Sequence, residues 1–122
     1  MTHTVLIVDD NPSIRRMLRS VVEQEPKYQV CGEAENGEIA VSKVQQLKPD
    51  VVILDLQMPE MDGLAAARHI NSLAPQTTML MLTMHTSQQL QKTALAIGIK
   101  AVLSKTESVE QQLLAALRDV CP

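Results

Sequence analysis

The chain has 122 residues, of which 45% are hydrophobic and 20% charged, and its formal net charge is -3 at pH 7. This is the size of one compact domain with enough apolar residues to bury a core, which excludes a disordered chain. The weakly acidic balance excludes a general attraction to nucleic acid or to an anionic membrane. The sequence contains neither a run of about 18 apolar residues nor a signal-peptide pattern, which predicts a cytoplasmic protein without a membrane span.

Aromatic residues and cysteines are both scarce. Tyr28 is the single aromatic residue, since the sequence has no Phe or Trp. The core must therefore be built from Val, Ile, Leu, Met and Ala. Cys31 and Cys121 lie far apart and lack the spacing of a redox or zinc motif, which predicts reduced cytosolic thiols.

Short apolar runs alternate along the chain with segments of helical period, which indicates βα units around a parallel sheet. The predicted strands cover residues 5–8, 28–34, 51–54, 78–82 and 100–103. Three of them contain the runs VLIV, VVIL and MLML, which are apolar at every position. This pattern is typical of strands that are covered by helices on both faces.

The helical segments follow the strands in order. The first carries apolar residues at the i, i+3, i+4, i+7 and i+8 spacing of one buried stripe: Ile14, Met17, Leu18, Val21 and Val22. Asn11 and Pro12 supply its cap and first-turn proline. Weaker periodic segments follow Gly37, Gly63 and Thr86. The last helix is predicted from apolar residues between Val109 and Val120, with Ser108 and Gln111 as a candidate capping box.

Aspartates come directly after two of the predicted strands. Asp9 and Asp10 follow the first strand and Asp55 follows the third. Parallel strands lie about 4.8 Å apart, so the three carboxylates would meet at one edge of the sheet. Carboxylates this close repel one another unless they are protonated or bound to a cation, and oxygen-only ligands suit Mg²⁺. A carboxylate that attacks a phosphoryl donor also needs such a cation, because both reactants are anions.

Two further polar residues end the remaining strands of the predicted edge. Thr83 follows the fourth strand and adds a hydroxyl, and Lys105 follows the fifth and adds an ammonium. Each residue alone has an ordinary explanation as a cap, a turn residue or a solvated charge. Their coincidence at four strand ends favours a site for phosphoryl chemistry.

With this constellation the chain resembles the receiver (CheY-like) family of response regulators, from Val5 to about Val120. The stretches VLIVDDNPSIRRML, PDVVILDLQMPEMDGL, MLMLTMH and AVLSK carry the resemblance, in the family's order and at its spacing. It implies an α/β fold, a flavodoxin-like (βα)5 doubly wound five-stranded parallel sheet of order 2-1-3-4-5. We expect a single receiver domain over residues 1–122, with any C-terminal DNA-binding output domain absent from this chain.

The resemblance also implies roles for the residues of the acidic edge. Asp55 resembles the phosphoacceptor, Asp10 a direct Mg²⁺ ligand, and Asp9 a ligand that acts mainly through water. The backbone carbonyl of Gln57 would supply the remaining protein ligand. The metal site implied for Mg²⁺ is therefore built from these four residues.

Thr83 resembles the switch hydroxyl that bonds the phosphoryl oxygens, and Lys105 resembles the residue that pairs with the phosphoryl charge. Pro59 and Gly63, within MPEMDG, belong to the family's loop and helix start. We interpret them physically as a rigid turn and a position that needs unusual backbone freedom.

Several positions depart from the family or vary within it. Val102 stands where the family usually carries an aromatic residue, so coupling must run through backbone shifts or through His85. Gln57 and His85 occupy positions that tune dephosphorylation in family members, although His85 could equally be a solvated loop residue. Met84 stands where many relatives have Ala or Gly, and its side chain could restrict small phosphodonors and water.

The implied function is a regulatory switch that takes its phosphoryl group from a sensor histidine kinase. It is a binding switch more than an enzyme, although it assists its own phosphorylation and hydrolysis. The motifs LTMH and LSKT resemble the class with a LuxR-type (NarL-type) helix-turn-helix output, which predicts control of transcription. DNA would then be contacted only through an output domain, no membrane would be bound, and a homodimer on phosphorylation is left open.

Three other functions fit these residues less well. A degenerate receiver would act only as an interaction domain, but it would not need the full set of acidic and basic residues. A small aspartyl-phosphate phosphatase is disfavoured, because Gln57 stands where its second acid would lie and no cap domain is present. A nucleotide-binding domain is disfavoured by the lack of GxGxxG and P-loop motifs. A docking or dimer surface on the first and last helices is left open; its candidate residues are Arg15, Arg16, Arg19 and Leu114.

Overall fold

A computed structural model of the chain describes residues 2–58 and 61–120. Within these ranges five strands alternate with five helices: β1 (His3–Val8), α1 (Pro12–Glu23), β2 (Tyr28–Ala34), α2 (Gly37–Leu47), β3 (Val51–Asp55), α3 (Gly63–Leu73), β4 (Thr78–Thr83), α4 (Gln88–Ile97), β5 (Ile99–Ser104) and α5 (Val109–Val120). All neighbouring strands are parallel, and their order in the sheet is β2-β1-β3-β4-β5. The predicted flavodoxin-like fold is confirmed.

Two apolar clusters form the core, one on each face of the sheet. Successive side chains of β1 alternate between them: Leu6 and Val8 join the cluster with residues of α2, α3 and α4, whereas Val5 and Ile7 join the cluster with residues of α1 and α5. This two-sided packing explains why the central strands are apolar at every position. Tyr28 is buried in the second cluster and donates from its hydroxyl to the carbonyl of Leu117 at 2.6 Å.

The predicted helix starts are explained by side-chain caps. Asn11 Oδ1 accepts from the backbone N–H of Ser13 at 2.8 Å, directly before the proline that begins α1. Ser108 Oγ accepts from the N–H of Gln111 at 3.4 Å, which supplies the N-cap half of the predicted capping box. The middle helices are capped by Asn36, Asp62 and Ser87. Each cap satisfies an N–H that the first helical turn leaves free.

Two residues predicted to follow strands are the last residues of those strands. Asp55 ends β3 and pairs with Leu82, and Thr83 ends β4 and pairs with Ser104. The ladders therefore run one residue further than the apolar runs. These side chains are held by sheet backbone rather than by loop backbone.

Gly63 is required for a different reason from the predicted one. Among the residues described, the glycine with a positive φ is Gly98. A Cβ at Gly63 would lie 2.4 Å from the carbonyl oxygen of Asp55 and 2.7 Å from Cα of Leu56. The expectation of unusual backbone freedom is therefore wrong, and the glycine instead allows α3 to approach the end of β3 closely. The predicted turn at Pro59 lies outside the described residues.

Three of the four residues proposed for a docking surface on the first and last helices have partners within the domain. Arg15 and Arg19 both pair with Glu33 of β2, so their charges are engaged within the domain. Leu114 is half-buried and packs against the second apolar cluster. Arg16 is exposed, and the docking surface stays a prediction.

Cys31 is a free, half-buried thiol, and burial raises its pKa. The other cysteine of the sequence, Cys121, lies outside the described residues. Over the two described ranges, no helix combines the length and apolarity needed to cross a membrane.

Candidate functional site

Three carboxylates meet at the carboxyl edge of the sheet. Asp9 and Asp10 follow β1, and Asp55 ends the neighbouring strand β3. One carboxylate oxygen of each lies within 4.8 Å of the other two. Asp9 is 0% exposed and Asp55 4%, whereas Asp10 faces solvent. The predicted convergence of these three side chains is confirmed, and it concentrates negative charge at a largely buried place.

Lys105 brings one positive charge into the same cluster. Its Nζ lies 3.0 Å from Oδ1 of Asp55 and 3.1 Å from Oδ2 of Asp9. The lysine follows β5, which is separated from β3 by β4, so its side chain reaches across the end of the intervening strand. Its backbone N–H donates to the carbonyl of Thr83 at 2.8 Å, which fixes the Lys105 backbone beside the end of β4.

The electrostatics of the cluster follow from burial and from these close charges. Burial raises the pKa of Asp55, and the neighbouring Asp9 raises it further, against the opposing effect of Lys105. Burial alone would lower the pKa of Lys105, but its hydrogen bonds to both carboxylates outweigh burial and the pKa is raised. Burial thus disfavours the charged form of Asp55, and the cation beside it favours that form.

The donor set fits a hard divalent cation. Three carboxylates and one ammonium leave two negative charges without compensation, which equals the charge of one Mg²⁺. Both oxygens of Asp9 accept hydrogen bonds, from Asn11 N–H at 2.9 Å and from Lys105. Asp10 is not engaged by another described residue and is available as a ligand. Oxygen donors of this kind match the preference of Mg²⁺ for carboxylates and water.

The cluster opens to solvent through a depression of about 450 Å³ beside Asp10. Its lining residues are Asp10, Leu56, Gln57, Met58 and Asp62. The backbone N–H of Gln57 donates to Oδ1 of Asp55 at 3.3 Å, which places this residue at the buried acid. The side chain of Gln57 is exposed.

Thr83 lies at the same edge, with its hydroxyl engaged elsewhere. The residue is 1% exposed, and its Oγ1 accepts from the N–H of His85 at 3.2 Å and donates to the carbonyl of His85 at 3.3 Å. In the described part of the chain, the hydroxyl therefore holds the β4–α4 loop and makes no bond to the acidic cluster. The predicted edge position is confirmed, and a direct contact with Asp55 is not present.

The departures from the family lie around this edge. Met84 is 46% exposed, and His85 is exposed and hydrogen-bonds through its backbone. Val102 is half-buried and packs against the first apolar cluster. Together with Ala94 and Leu95 it lines an open groove of about 260 Å³ between α4 and β5.

Sequence reasoning missed one residue that touches the site. The guanidinium of Arg15 donates to the backbone carbonyl of Asp9 at 2.6 Å, and Glu33 of β2 holds the same guanidinium at 3.0 Å. Helical periodicity places Arg15 beside the buried stripe of α1 without indicating a partner. The contact becomes visible only when β2 is known to lie beside β1.

This fold and this site define a receiver domain. The chain belongs to the family described as the response regulator receiver domain, whose model matches residues 5–118. It is therefore the receiver domain of a two-component response regulator.

Relatives with different outputs resemble the chain. It is 39% identical over 106 residues to the transcriptional regulatory protein YdfI of Bacillus subtilis, covering 87% of this chain and 49% of that protein. It is 38% identical over 97 residues to protein-glutamate methylesterase/protein-glutamine glutaminase 2 of Koribacter versatilis, covering 80% of this chain and 26% of that protein. The chain thus spans about half of the first relative and about a quarter of the second.

A solved structure supports the fold independently. The response regulator domain of Thermotoga maritima CheB superposes with a TM-score of 0.89 at 28% identity, covering 98% of this chain and 96% of that one. The likeness extends over the whole sheet and its helices.

Proposed function

We propose that the domain is a phosphorylation-controlled switch in which Asp55 accepts a phosphoryl group from a sensor histidine kinase in a Mg²⁺-dependent reaction. One observation carries the proposal. In a member of the receiver family, carboxylate oxygens of Asp9, Asp10 and Asp55 lie within 4.8 Å of one another, with the Lys105 ammonium 3.0 Å from Asp55. This is the donor set that phosphoryl transfer to a carboxylate requires.

Asp55 is the nucleophile in this proposal. A carboxylate oxygen attacks the phosphorus, a P–O bond forms, and the P–N bond to the donor histidine breaks; the imidazole nitrogen keeps the electron pair of that bond. Lys105 and the N–H of Gln57 both contact Oδ1 of Asp55, which leaves Oδ2 without a bond from the described residues. Lys105 favours the ionised carboxylate that attack requires, and it would then pair with the phosphoryl charge.

The metal ligands are assigned by how each carboxylate is already engaged. Asp10 is exposed and is not bonded by another described residue, so it is suited to direct ligation together with Asp55 and the backbone carbonyl of Gln57. Asp9 is buried with both oxygens hydrogen-bonded, which favours ligation through water. When bound, Mg²⁺ would neutralise charge on the carboxylates and on the phosphoryl oxygens.

Switching is proposed to run through the backbone of the β4–α4 loop. The Thr83 hydroxyl is bonded to His85 on both its donor and acceptor sides. If this hydroxyl turns to a phosphoryl oxygen on Asp55, the backbone of His85 loses its tether and the loop can move. This route needs no aromatic side chain at Val102. Gln57, which lines the depression beside Asp10, and Met84 and His85, which directly follow Thr83, are assigned to tuning dephosphorylation.

The output is proposed to be transcription, through a DNA-binding domain that is not part of residues 1–122. The likeness to YdfI supports this assignment, and the likeness to the methylesterase supports an enzymatic output as the second candidate. The domain itself would then be a switch that assists its own phosphorylation rather than an enzyme acting on other molecules. We place it in the cytoplasm as a single receiver domain, phosphorylated by the kinase and open to dimerisation in the phosphorylated state.

Phosphorylation by acetyl phosphate tests the proposal. Intact-mass spectrometry should detect one added phosphoryl group on the wild type in Mg²⁺ and none in EDTA. Asp55→Asn should not be modified. Asp50→Asn is the matched control, since Asp50 is an exposed acid at the opposite edge of the sheet, where it hydrogen-bonds Thr4. If neither the wild type nor Met84→Ala were modified, or if Asp55→Asn still gained a phosphoryl group, the proposal would be rejected in favour of a receiver that acts only as an interaction domain.

A further inference from the structure

Arg15 connects the acidic cluster to the neighbouring strand β2. Its NH1 group donates to the carbonyl oxygen of Asp9 at 2.6 Å, and its Nε donates to Oε1 of Glu33 at 3.0 Å. The arginine side chain is only 18% exposed. The planar guanidinium makes both bonds at once, so it fixes the backbone of Asp9 relative to β2.

The carbonyl that Arg15 holds belongs to the peptide bond between Asp9 and Asp10. A peptide unit is planar, so fixing its oxygen also fixes the direction in which the chain leaves toward Asp10. The carboxylate of Asp10 is exposed and has no bond to another residue of the described ranges. Its position relative to Asp55 therefore depends on the backbone that Arg15 holds.

Arg19 provides an internal comparison. It pairs with the other oxygen of the same carboxylate, Glu33 Oε2, with NH2 at 2.7 Å and Nε at 2.9 Å. Unlike Arg15, it continues to an acid on its own helix, Glu23, at 3.6 Å. Two arginines thus share Glu33, and one of them reaches the acidic cluster.

We propose that Arg15, held in place by Glu33, is a positioning residue for the cation site: it orients the Asp9–Asp10 peptide and thereby sets the affinity for Mg²⁺. The inference rests on the proposed function of the cluster as a Mg²⁺ site. If Arg15 acts by positioning, its removal should weaken Mg²⁺ binding, which is the opposite of what its charge alone would cause. A positive charge near three carboxylates opposes cation binding, so removing it would tighten Mg²⁺ binding if charge alone mattered.

Mg²⁺ titrations of four variants separate geometry from charge. Arg15→Lys keeps the charge but cannot make both bonds in one rigid plane, and Arg15→Gln removes the charge as well. Arg19→Lys and Arg19→Gln are the matched controls. The affinity is read from the shifts of the Asp9, Asp10 and Asp55 amide signals by NMR. Both Arg15 variants should bind Mg²⁺ about 10-fold more weakly than the wild type, the scale for loss of a group that orients metal ligands. Both Arg19 variants should bind with close to wild-type affinity.

Other outcomes overturn the inference in distinguishable ways. Unchanged binding by Arg15→Lys with tighter binding by Arg15→Gln would show that Arg15 acts only through its charge. Equally weakened Mg²⁺ binding by the Arg15 and Arg19 variants would show that the ion pairs with Glu33 act only by stabilising the fold. A wild-type domain that does not bind Mg²⁺ would overturn the proposed function together with the inference. A wild type that binds normally, with Arg15 variants that match it, would overturn the inference only.

Discussion

The ammonium of Lys105 lies 3.0 Å from Oδ1 of Asp55, and the two side chains are 15% and 5% exposed. The same ammonium contacts Asp9, so one positive charge holds two buried acids while Asp10 adds a third negative charge beside them. Without a divalent cation the cluster is therefore under net repulsion.

Asp55→Asn is expected to stabilise the metal-free domain. Burial and the nearby Asp9 hold the pKa of Asp55 above its ordinary value, so the charged form lowers stability at pH values above that pKa. Removing the charge should raise the free energy of unfolding at pH 7 by on the order of 1 kcal/mol. Urea unfolding in EDTA measures the change. Added Mg²⁺ should stabilise the wild type more than the variant.

Lys105→Met is expected to change the free energy of unfolding in the opposite direction. It leaves two buried carboxylates without a cation, and we expect a loss of about 3 kcal/mol, the scale for breaking a buried pair. Destabilisation by Asp55→Asn together with tolerance of Lys105→Met would show that the cluster is not under repulsion.

Gly63→Ala should be strongly destabilising. The new Cβ would lie 2.4 Å from the carbonyl oxygen of Asp55 and 2.7 Å from Cα of Leu56, and neither backbone atom can move without shifting the end of β3. We expect a loss of about 2–3 kcal/mol by urea unfolding. In Gly32→Ala, the control, the Cβ would meet the end of the flexible Leu47 side chain at 2.9 Å, so the loss should be smaller. The reverse ranking would refute close approach as the reason for Gly63.

Glu33 gives a prediction of pH dependence. Its hydrogen bond with Arg19, and then that with Arg15, holds the pKa of Glu33 below its ordinary value. An acid with a lowered pKa stabilises the fold above its unfolded-state pKa, about 4.3 for Glu, and this stabilisation disappears as the pH falls through the folded-state pKa. Glu33→Gln should therefore lower stability at pH 7 by about 1 kcal/mol, and the difference should vanish in acid.

Thermal unfolding of the wild type and Glu33→Gln across pH 2–7 tests this dependence. The control is Glu23→Gln, because Glu23 pairs with Arg19 at 3.6 Å and is 56% exposed. It should change stability by less than about 0.5 kcal/mol at any pH. A Glu33→Gln difference that persists undiminished at low pH would contradict the ion-pair explanation.

Met84→Ala is expected to accelerate phosphorylation by acetyl phosphate several-fold. Met84 is 46% exposed directly after Thr83, where its long side chain can restrict small donors and water. The rate is measured from the appearance of phosphorylated protein. Leu95→Ala, which removes another exposed apolar side chain, 64% exposed on α4, should leave the rate unchanged. Equal rates for the wild type and Met84→Ala would show that Met84 does not limit the access of acetyl phosphate to Asp55.

The order of elements and the acidic edge could be predicted from sequence because both follow from local patterns. The apolar runs at residues 5–8 and 51–54 identified strands buried on both faces, and parallel packing then placed Asp9 and Asp55 together. The ends of β1 and β2 were predicted correctly, whereas those of β3, β4 and β5 were predicted one residue short. Hydrogen-bonded pairing carries Asp55 and Thr83 into the ladders although neither is apolar.

Features that depend on contacts between distant segments could not be predicted. The sequence around Gly63 does not indicate that this residue lies against the Asp55 carbonyl, because the contact depends on how α3 packs on β3. Arg15 has an ordinary position beside a helical stripe, and only the pairing of β1 with β2 brings Glu33 within reach of it. Thr83 was placed correctly at the edge, but its bonds to the His85 backbone depend on the path of the following loop.

A two-dimensional amide NMR titration with Mg²⁺, followed by beryllofluoride as a stable substitute for the phosphoryl group, tests the phosphorylation switch most directly. We predict that Mg²⁺ shifts the signals of Asp9, Asp10 and Asp55. Beryllofluoride should then extend the changes to Thr83, His85, Lys105 and α4. No response to either addition would contradict the switch while leaving the receiver fold intact.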